Sequence, residues 1–370
     1  MLPFAGFARL EMTNRIARVR EKMGELGLRA LLVTDAANVR YLTGFRGEPR
    51  RVLLTEDRLV LSTSFRTLPW AERQCAVLGD AIELKVEADP LGDMEKMLGS
   101  DWRLGVDVGI SHCALLDLQK QFSFCELIPS GVIEEVRRVK SAAEVALMEE
   151  SQVLNEAIFQ AVLPRIRVGM SERAVQGLIL AEMAGNELVD RYSFIPIVAS
   201  GGNAWEIHHL PDDTVITNDQ MLLIDLGVFY EGYASDMTRT VCLGKARDEM
   251  REVYGIVHDA QAAAIEAMRP GVSTHEVDRI ARTIISEAGY GRGFTHGLGH
   301  SIGLETHDPG LNLSQSVPDV MLEEGMVFTV EPGIYLEEGF GIRTEDVVVV
   351  TEKGNRRITQ ESLDLIELSC

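Results

Sequence analysis

The chain has 370 residues, with 57 acidic against 36 basic side chains and a net charge of −21. A charge of that sign repels nucleic acid and anionic membranes, so neither is expected as a partner. Hydrophobic residues at 46% and charged residues at 25% describe an ordinary globular protein, long enough for two domains.

The five cysteines are odd in number and widely spaced, with no C-x-x-C pair, which predicts free thiols in a reducing cytoplasm. No apolar run approaches a membrane span of ~18 residues and no basic-then-apolar leader is present, so neither membrane insertion nor secretion is expected. Residues 1–11 differ in pattern from the segment beginning at Met12 and are expected to be either a loose extension or an upstream start. From Thr13, the residues Ile16, Val19, Met23 and Leu26 recur at helical spacing until Gly27 stops the helix. Strands are predicted at 30–33, 52–55, 59–62, 82–86 and 104–108, with helices between the later ones. This pattern defines an α/β amino-terminal domain over 12–135. Asp107 and His112 stand alone in it and read as packing or surface residues.

The second domain, 136–370, opens after a polar stretch. Ser141 and Glu144 make an S-x-x-E capping box for a helix running to about Leu163. A second helix starts after Ser171, and a third after Ser273, where Glu276 repeats the box and Gly289 ends it. Val168-Gly169-Met170-Ser171 and Pro270-Gly271-Val272-Ser273 each precede one of these helices, and each helix leads to an acid-bearing strand. Asp225 and Glu331 occupy matching places in those strands, and Asp236 and Glu345 follow on returning strands. The pattern predicts an internal repeat, a pseudo-twofold domain with one acidic site at its axis.

A lone aspartate on a strand could be a cap or a surface residue, but four inward carboxylates repel unless cations lie between them. Histidines gather in two further stretches, Thr295–Asp308 and Ser200–Pro211. The glycines of the first miss the G-x-G-x-x-G spacing of a phosphate loop. Asp225, Asp236, Glu331, Glu345 and one neutral imidazole together carry the charge that two divalent cations neutralise. Oxygen-rich ligation with one histidine suits Mn²⁺, Co²⁺ or Zn²⁺. Two such cations could activate a water and polarise a carbonyl.

With these motifs in order, the chain resembles the pita-bread metallopeptidases, the family of aminopeptidase P, prolidase and methionine aminopeptidase. Arg29–Phe45 is similar to the opening of the amino-terminal domain in the proline-specific branch, and Arg137–Met148 to the start of its catalytic domain. The resemblance implies an α+β catalytic domain with Asp225, Asp236, His300, Glu331 and Glu345 as metal ligands, Asp236 and Glu345 shared between two ions. It implies that His208, three residues before Pro211, and His307, seven after His300, face the substrate, with His209 as the alternative to His208. Glu331 would shuttle a proton during hydrolysis of an Xaa-Pro bond in a proline-containing peptide, and the chain would pair as a homodimer.

After His307 the sequence reads Asp308-Pro309-Gly310-Leu311, without the aromatic and basic residues of many prolidases. Arg343, two residues before Glu345 and on the same strand face, is the expected substitute for gripping a short substrate's carboxylate. Dipeptides and longer Xaa-Pro peptides both remain open. A metal-free creatinase-like amidinohydrolase and a non-catalytic binding protein of the same fold are the alternatives, though all five ligand positions are kept.

Overall fold

In the computed structural model, which describes residues 3–48, 50–86, 96–99, 101–337 and 339–369, the chain divides after Arg137 into two units. The amino-terminal unit is built on a six-stranded sheet. Its strands lie in the order Glu83–Val86, Leu59–Thr63, Arg50–Thr55, Ala30–Val33, Arg103–Asp107 and Glu126–Ser130. The last of these was not expected from the sequence. It contains Pro129, which lacks a ladder donor and is tolerated because the strand lies at the sheet edge.

The first helix runs Pro3–Glu25 and not from Thr13, so the expectation of a loose extension is corrected. Met12 is buried one turn before Ile16, Val19 and Met23, which extends the apolar stripe backwards, whereas Leu26 is exposed. A proline in the first turn forfeits no helical hydrogen bond, because that N–H has no partner there. Asp107 proves to be a packing residue. Its carboxylate accepts hydrogen bonds from the Thr34 and Asp35 amides, the Thr34 hydroxyl and the Asn38 amide. Cys75, Cys113, Cys125 and Cys242 are free thiols, and Cys370 lies outside the described residues.

The second unit has the pita-bread architecture, with α helices backing antiparallel strands in two similar halves. The helix Ala142–Val162 carries both hydrogen bonds of the Ser141–Glu144 capping box. It is followed by Glu172–Gly185, and the second half repeats the pair as Asp248–Ala267 and Thr274–Glu287. The helix Asp248–Ala267 escaped the sequence reading because Arg247, at its N-cap, supplies no side-chain hydrogen bond to mark the start. At Ser273 the hydroxyl accepts from the Glu276 amide, the one half of the box that is formed there.

Backbone hydrogen bonds show the repeat directly. The Gly169 amide donates to Ile216 and the Gly271 amide to Leu322, while Ile216 and Leu322 donate back to Met170 and Val272. Gly169 and Gly271 both take positive φ, 90° and 85°, a conformation with little penalty only for glycine. In each half a strand then runs out, a short hairpin turns the chain, and a strand returns. These are Gln220–Leu226 with Met237–Leu243, and Val327–Val330 with Asp346–Thr351, each pair antiparallel. The hairpins between them are Val228–Tyr230 with Tyr233–Ala234, and Gly333–Tyr335 with Gly341–Arg343.

Candidate active site

Both strand pairs deliver their acids at the same two points. Asp225 is the penultimate residue of Gln220–Leu226, and Asp236 immediately precedes Met237–Leu243. Glu331 immediately follows Val327–Val330, and Glu345 immediately precedes Asp346–Thr351. Buried amides on the two long helices hold these ends. Asn155 donates to the Leu226 carbonyl, and Gln152 accepts from the Asp236 amide. In the other half Gln261 donates to the Val330 carbonyl and accepts from the Thr344 hydroxyl, so one side chain ties together the residues preceding Glu331 and Glu345.

The carboxylates converge around His300. Its Nε2 lies 3.7 Å from Asp236 Oδ2 and 3.6 Å from Glu331 Oε1. Donor atoms of Asp236, His300 and Glu345 all fall within 4.8 Å of one another. Burial, reinforced by the charges of Glu345, Asp225 and Glu331, holds the Asp236 carboxyl well above the usual carboxylate range. Burial with Glu331 and Asp225 does the same to Glu345. Glu331 is pushed up to about 7 by burial and the Asp225 charge, against the pull of Arg343. His300 is pushed down to about 3 by burial and by His307, and is therefore a neutral imidazole.

Arg343 borders the cavity, and its guanidinium is bonded to protein groups. Nε donates to Thr238 Oγ1 at 3.0 Å, one Nη to Tyr335 Oη at 3.0 Å, and the other to Asp225 Oδ2 at 2.6 Å. At 2% exposed it is a buried counter-ion to Asp225, a role that the expected carboxylate anchor did not include. The physical reason is the hairpin Gly333–Tyr335 with Gly341–Arg343, which lays the arginine across the Asp225 strand. Thr238, held by Arg343, donates in turn to Glu345 Oε2 at 2.7 Å.

A cavity of about 590 Å³ opens over the acids. Phe194, Ile195, Ile207 and Leu210 line it on the apolar side, and His208, His296 and His307 bring imidazoles to it. His208 is exposed. His307 stacks on His300 with centroids 3.8 Å apart and planes 15° from parallel. Burial, with His208 nearby, lowers its basicity. His209 also borders the cavity, with its Nε2 bonded to Glu172.

The sequence reading did not single out His296 or Tyr335. His296 Nε2 lies 2.9 Å from Tyr335 Oη, and burial with the nearby Arg343 charge lowers the imidazole to about 4. Burial raises the Tyr335 phenol to about 12, so it stays protonated and can donate while accepting from Arg343. The signals were present in Thr295-His296-Gly297 and in Glu331-Pro332-Gly333-Ile334-Tyr335, but both lie beside residues whose chemistry is more overt.

The donor set fits divalent cations. Among the described residues, Asp225 Oδ1 and Asp236 Oδ1 are fully buried with no hydrogen-bond partner. Buried acceptors so placed are costly unless something positive meets them. Arg343 is a single countercharge set against four carboxylates.

Fold and site together define a metal-dependent hydrolase acting on peptides. The profile of metallopeptidase family M24 matches residues 146–352, and that of the creatinase/prolidase N-terminal domain matches residues 15–139. The chain belongs to metallopeptidase family M24. It is 32% identical to a Xaa-Pro dipeptidase of Pyrococcus horikoshii, over 96% of this chain and 99% of that one. Among solved structures, a Xaa-Pro dipeptidase from Bacillus anthracis superposes with a TM-score of 0.90 at 32% identity, covering 96% of this chain and all of the other. An X-Pro aminopeptidase from Thermotoga maritima gives a TM-score of 0.85 at 30% identity, over 94% and 99% of the two chains. The chain is a peptidase. No described helix is long and apolar enough to cross a membrane.

Proposed function

We propose that this protein hydrolyses the bond between a residue and a following proline, with dipeptides as its principal substrate. The observation that carries the reading is the convergence of Asp236, His300, Glu331 and Glu345, with Asp225 held by Arg343, beneath a cavity that His208 and His307 line. The relatives named Xaa-Pro dipeptidase that match from end to end support the dipeptide. The X-Pro aminopeptidase neighbour makes longer peptides the competing substrate.

Asp225, Asp236, His300, Glu331 and Glu345 would hold two divalent ions, with Mn²⁺, Co²⁺ or Zn²⁺ as the candidates. When bound, such ions polarise the scissile carbonyl and make a water nucleophilic at neutral pH. Glu331 is the acid exposed on the cavity side, with 17% of its side chain accessible. It takes a proton from the attacking water and delivers it to the proline nitrogen as the C–N bond breaks. His307 and His208 donate hydrogen bonds to the oxygen on which negative charge develops. The apolar wall of Phe194, Ile195, Ile207 and Leu210 receives the proline ring and excludes water.

We further propose a homodimer working in the cytoplasm. The free cysteines support that compartment, and light scattering tests the dimer. The decisive experiment is metal analysis of the purified protein together with turnover of Xaa-Pro dipeptides and tripeptides. Hydrolysis restricted to Xaa-Pro substrates and abolished by chelation supports the reading. Turnover that survives complete metal removal overturns it.

A further inference from the structure

Glu172 is wholly buried in the first turn of the helix Glu172–Gly185, directly after the Ser171 cap, where a negative charge is favoured by the helix dipole. Its carboxylate takes every donor from one stretch of chain. Oε1 accepts from the Ser200 amide at 2.7 Å, the Ser200 hydroxyl at 2.8 Å and the Asn203 amide at 3.0 Å. Oε2 lies 2.7 Å from His209 Nε2 and 3.4 Å from the Asp212 amide. These oxygens are so fully subscribed that the grouping of Glu172, His209 and Asp212 is not a metal site, despite its ligand-like composition.

The stretch so held, residues 200–212, lines the cavity through Ile207, His208, His209 and Leu210. Both His208 and His209 border the cavity but differ in surroundings: His209 is 6% exposed and bonded to Glu172, whereas His208 is exposed. The second ring nitrogen of His209 lies 3.3 Å from Glu206 Oε2, and its amide donates to the Glu206 carbonyl. The imidazole is thus the rivet between the helix start and the turn that carries His208. Ser200, Asn203 and Asp212 hold the two ends of the stretch to Glu172, and His209 holds its middle, next to His208.

We infer that Glu172 and His209 are positioning residues, whose buried hydrogen bond keeps His208 turned into the substrate cavity. The inference rests on the reading of His208 as a substrate-facing donor. The test is a double-mutant cycle on the Mn²⁺-loaded enzyme with an Xaa-Pro dipeptide, alongside bound-metal content and amide hydrogen exchange over residues 200–212.

His209→Ala should lower kcat/KM by about 10- to 100-fold, the weight of a hydrogen bond to a charged group. Metal content should be unchanged, and exchange across 200–212 should quicken. In a His208→Ala background the same substitution should change kcat/KM by less than about 2-fold, because the residue it positions is gone. His209→Gln, whose amide can donate to Glu172, should recover most of the loss. If His209→Ala does not fold, Glu172→Gln carries the cycle and should show the same coupling to His208. An equal loss in both backgrounds, or no loss in either, overturns the inference while leaving the proposed function intact. If His208→Ala alone leaves kcat/KM unchanged, the role given to His208 fails first and the inference falls with it.

Discussion

Arg343 and Asp225, 118 residues apart in the chain, form a buried ion pair with 2.6 Å between Nη2 and Oδ2. The guanidinium is the countercharge for the first acid of one half, delivered by the hairpin of the other half. Removing one member of such a pair strands the other in a medium that does not solvate it. Arg343→Met should therefore destabilise chelated protein by about 3–5 kcal/mol, and destabilise it less once divalent cations supply the missing charge. Urea unfolding with and without cation measures both. The KM for Xaa-Pro dipeptides and tripeptides should rise in parallel, and a selective loss on dipeptides would restore Arg343 as a carboxylate anchor.

Chelation should make stability strongly pH-dependent. A carboxyl whose pKa is raised on folding contributes stability below its unfolded value, about 4, and loses it as pH rises through the folded value. Asp236 and Glu345 are raised well above their ordinary range, and Glu331 to about 7. The Tm of chelated protein should fall as pH rises from about 5 to 8. Added divalent cation should raise Tm most at the upper end of that range. A chelated protein whose Tm is flat across it would mean that the acids do not repel one another.

Neutralising one central acid separates binding from folding. Asp236→Asn or Glu345→Gln should abolish retained metal and turnover together, since each removes an anionic donor from the cluster around His300. The same variants should melt higher than the chelated parent at pH 8, because a like-charge repulsion has gone. Normal metal content with full activity in either variant would remove these residues from the centre.

His307 stacks on His300, lines the cavity and is not among the clustered donors, so its loss should leave the metals in place. His307→Ala should lower kcat by about 10²- to 10³-fold, the weight of one donor to a developing oxyanion. A metal content that drops in step with kcat would make His307 a ligand.

The acids, the histidine stretches and the repeat were legible because each is written in local pattern. A strand-turn-strand with a carboxylate at each end must place those acids together, and Gly169 and Gly271 mark a backbone turn that few other residues adopt. The capping box at Ser141 was legible for the same reason, since its partners are three residues apart. The helix Asp248–Ala267 was not, because its start has no side-chain cap and its stability comes from the face it buries.

What the amino-acid order determined by itself was the kind of chemistry: carboxylates and one imidazole, paired across two similar halves, in a chain of net charge −21. Tertiary structure decided which neighbour each charged group meets. Arg343 lies close to Glu345 in sequence and on the expected face, yet it is spent on Asp225, Thr238 and Tyr335. His208 and His209 are adjacent and chemically identical, yet His209 is buried against Glu172, 37 residues before it, while His208 is exposed. Spacing encodes the face a side chain takes on its own element. The energy of a buried charge is set by its partner and its burial, and both come from chain segments that local pattern does not connect.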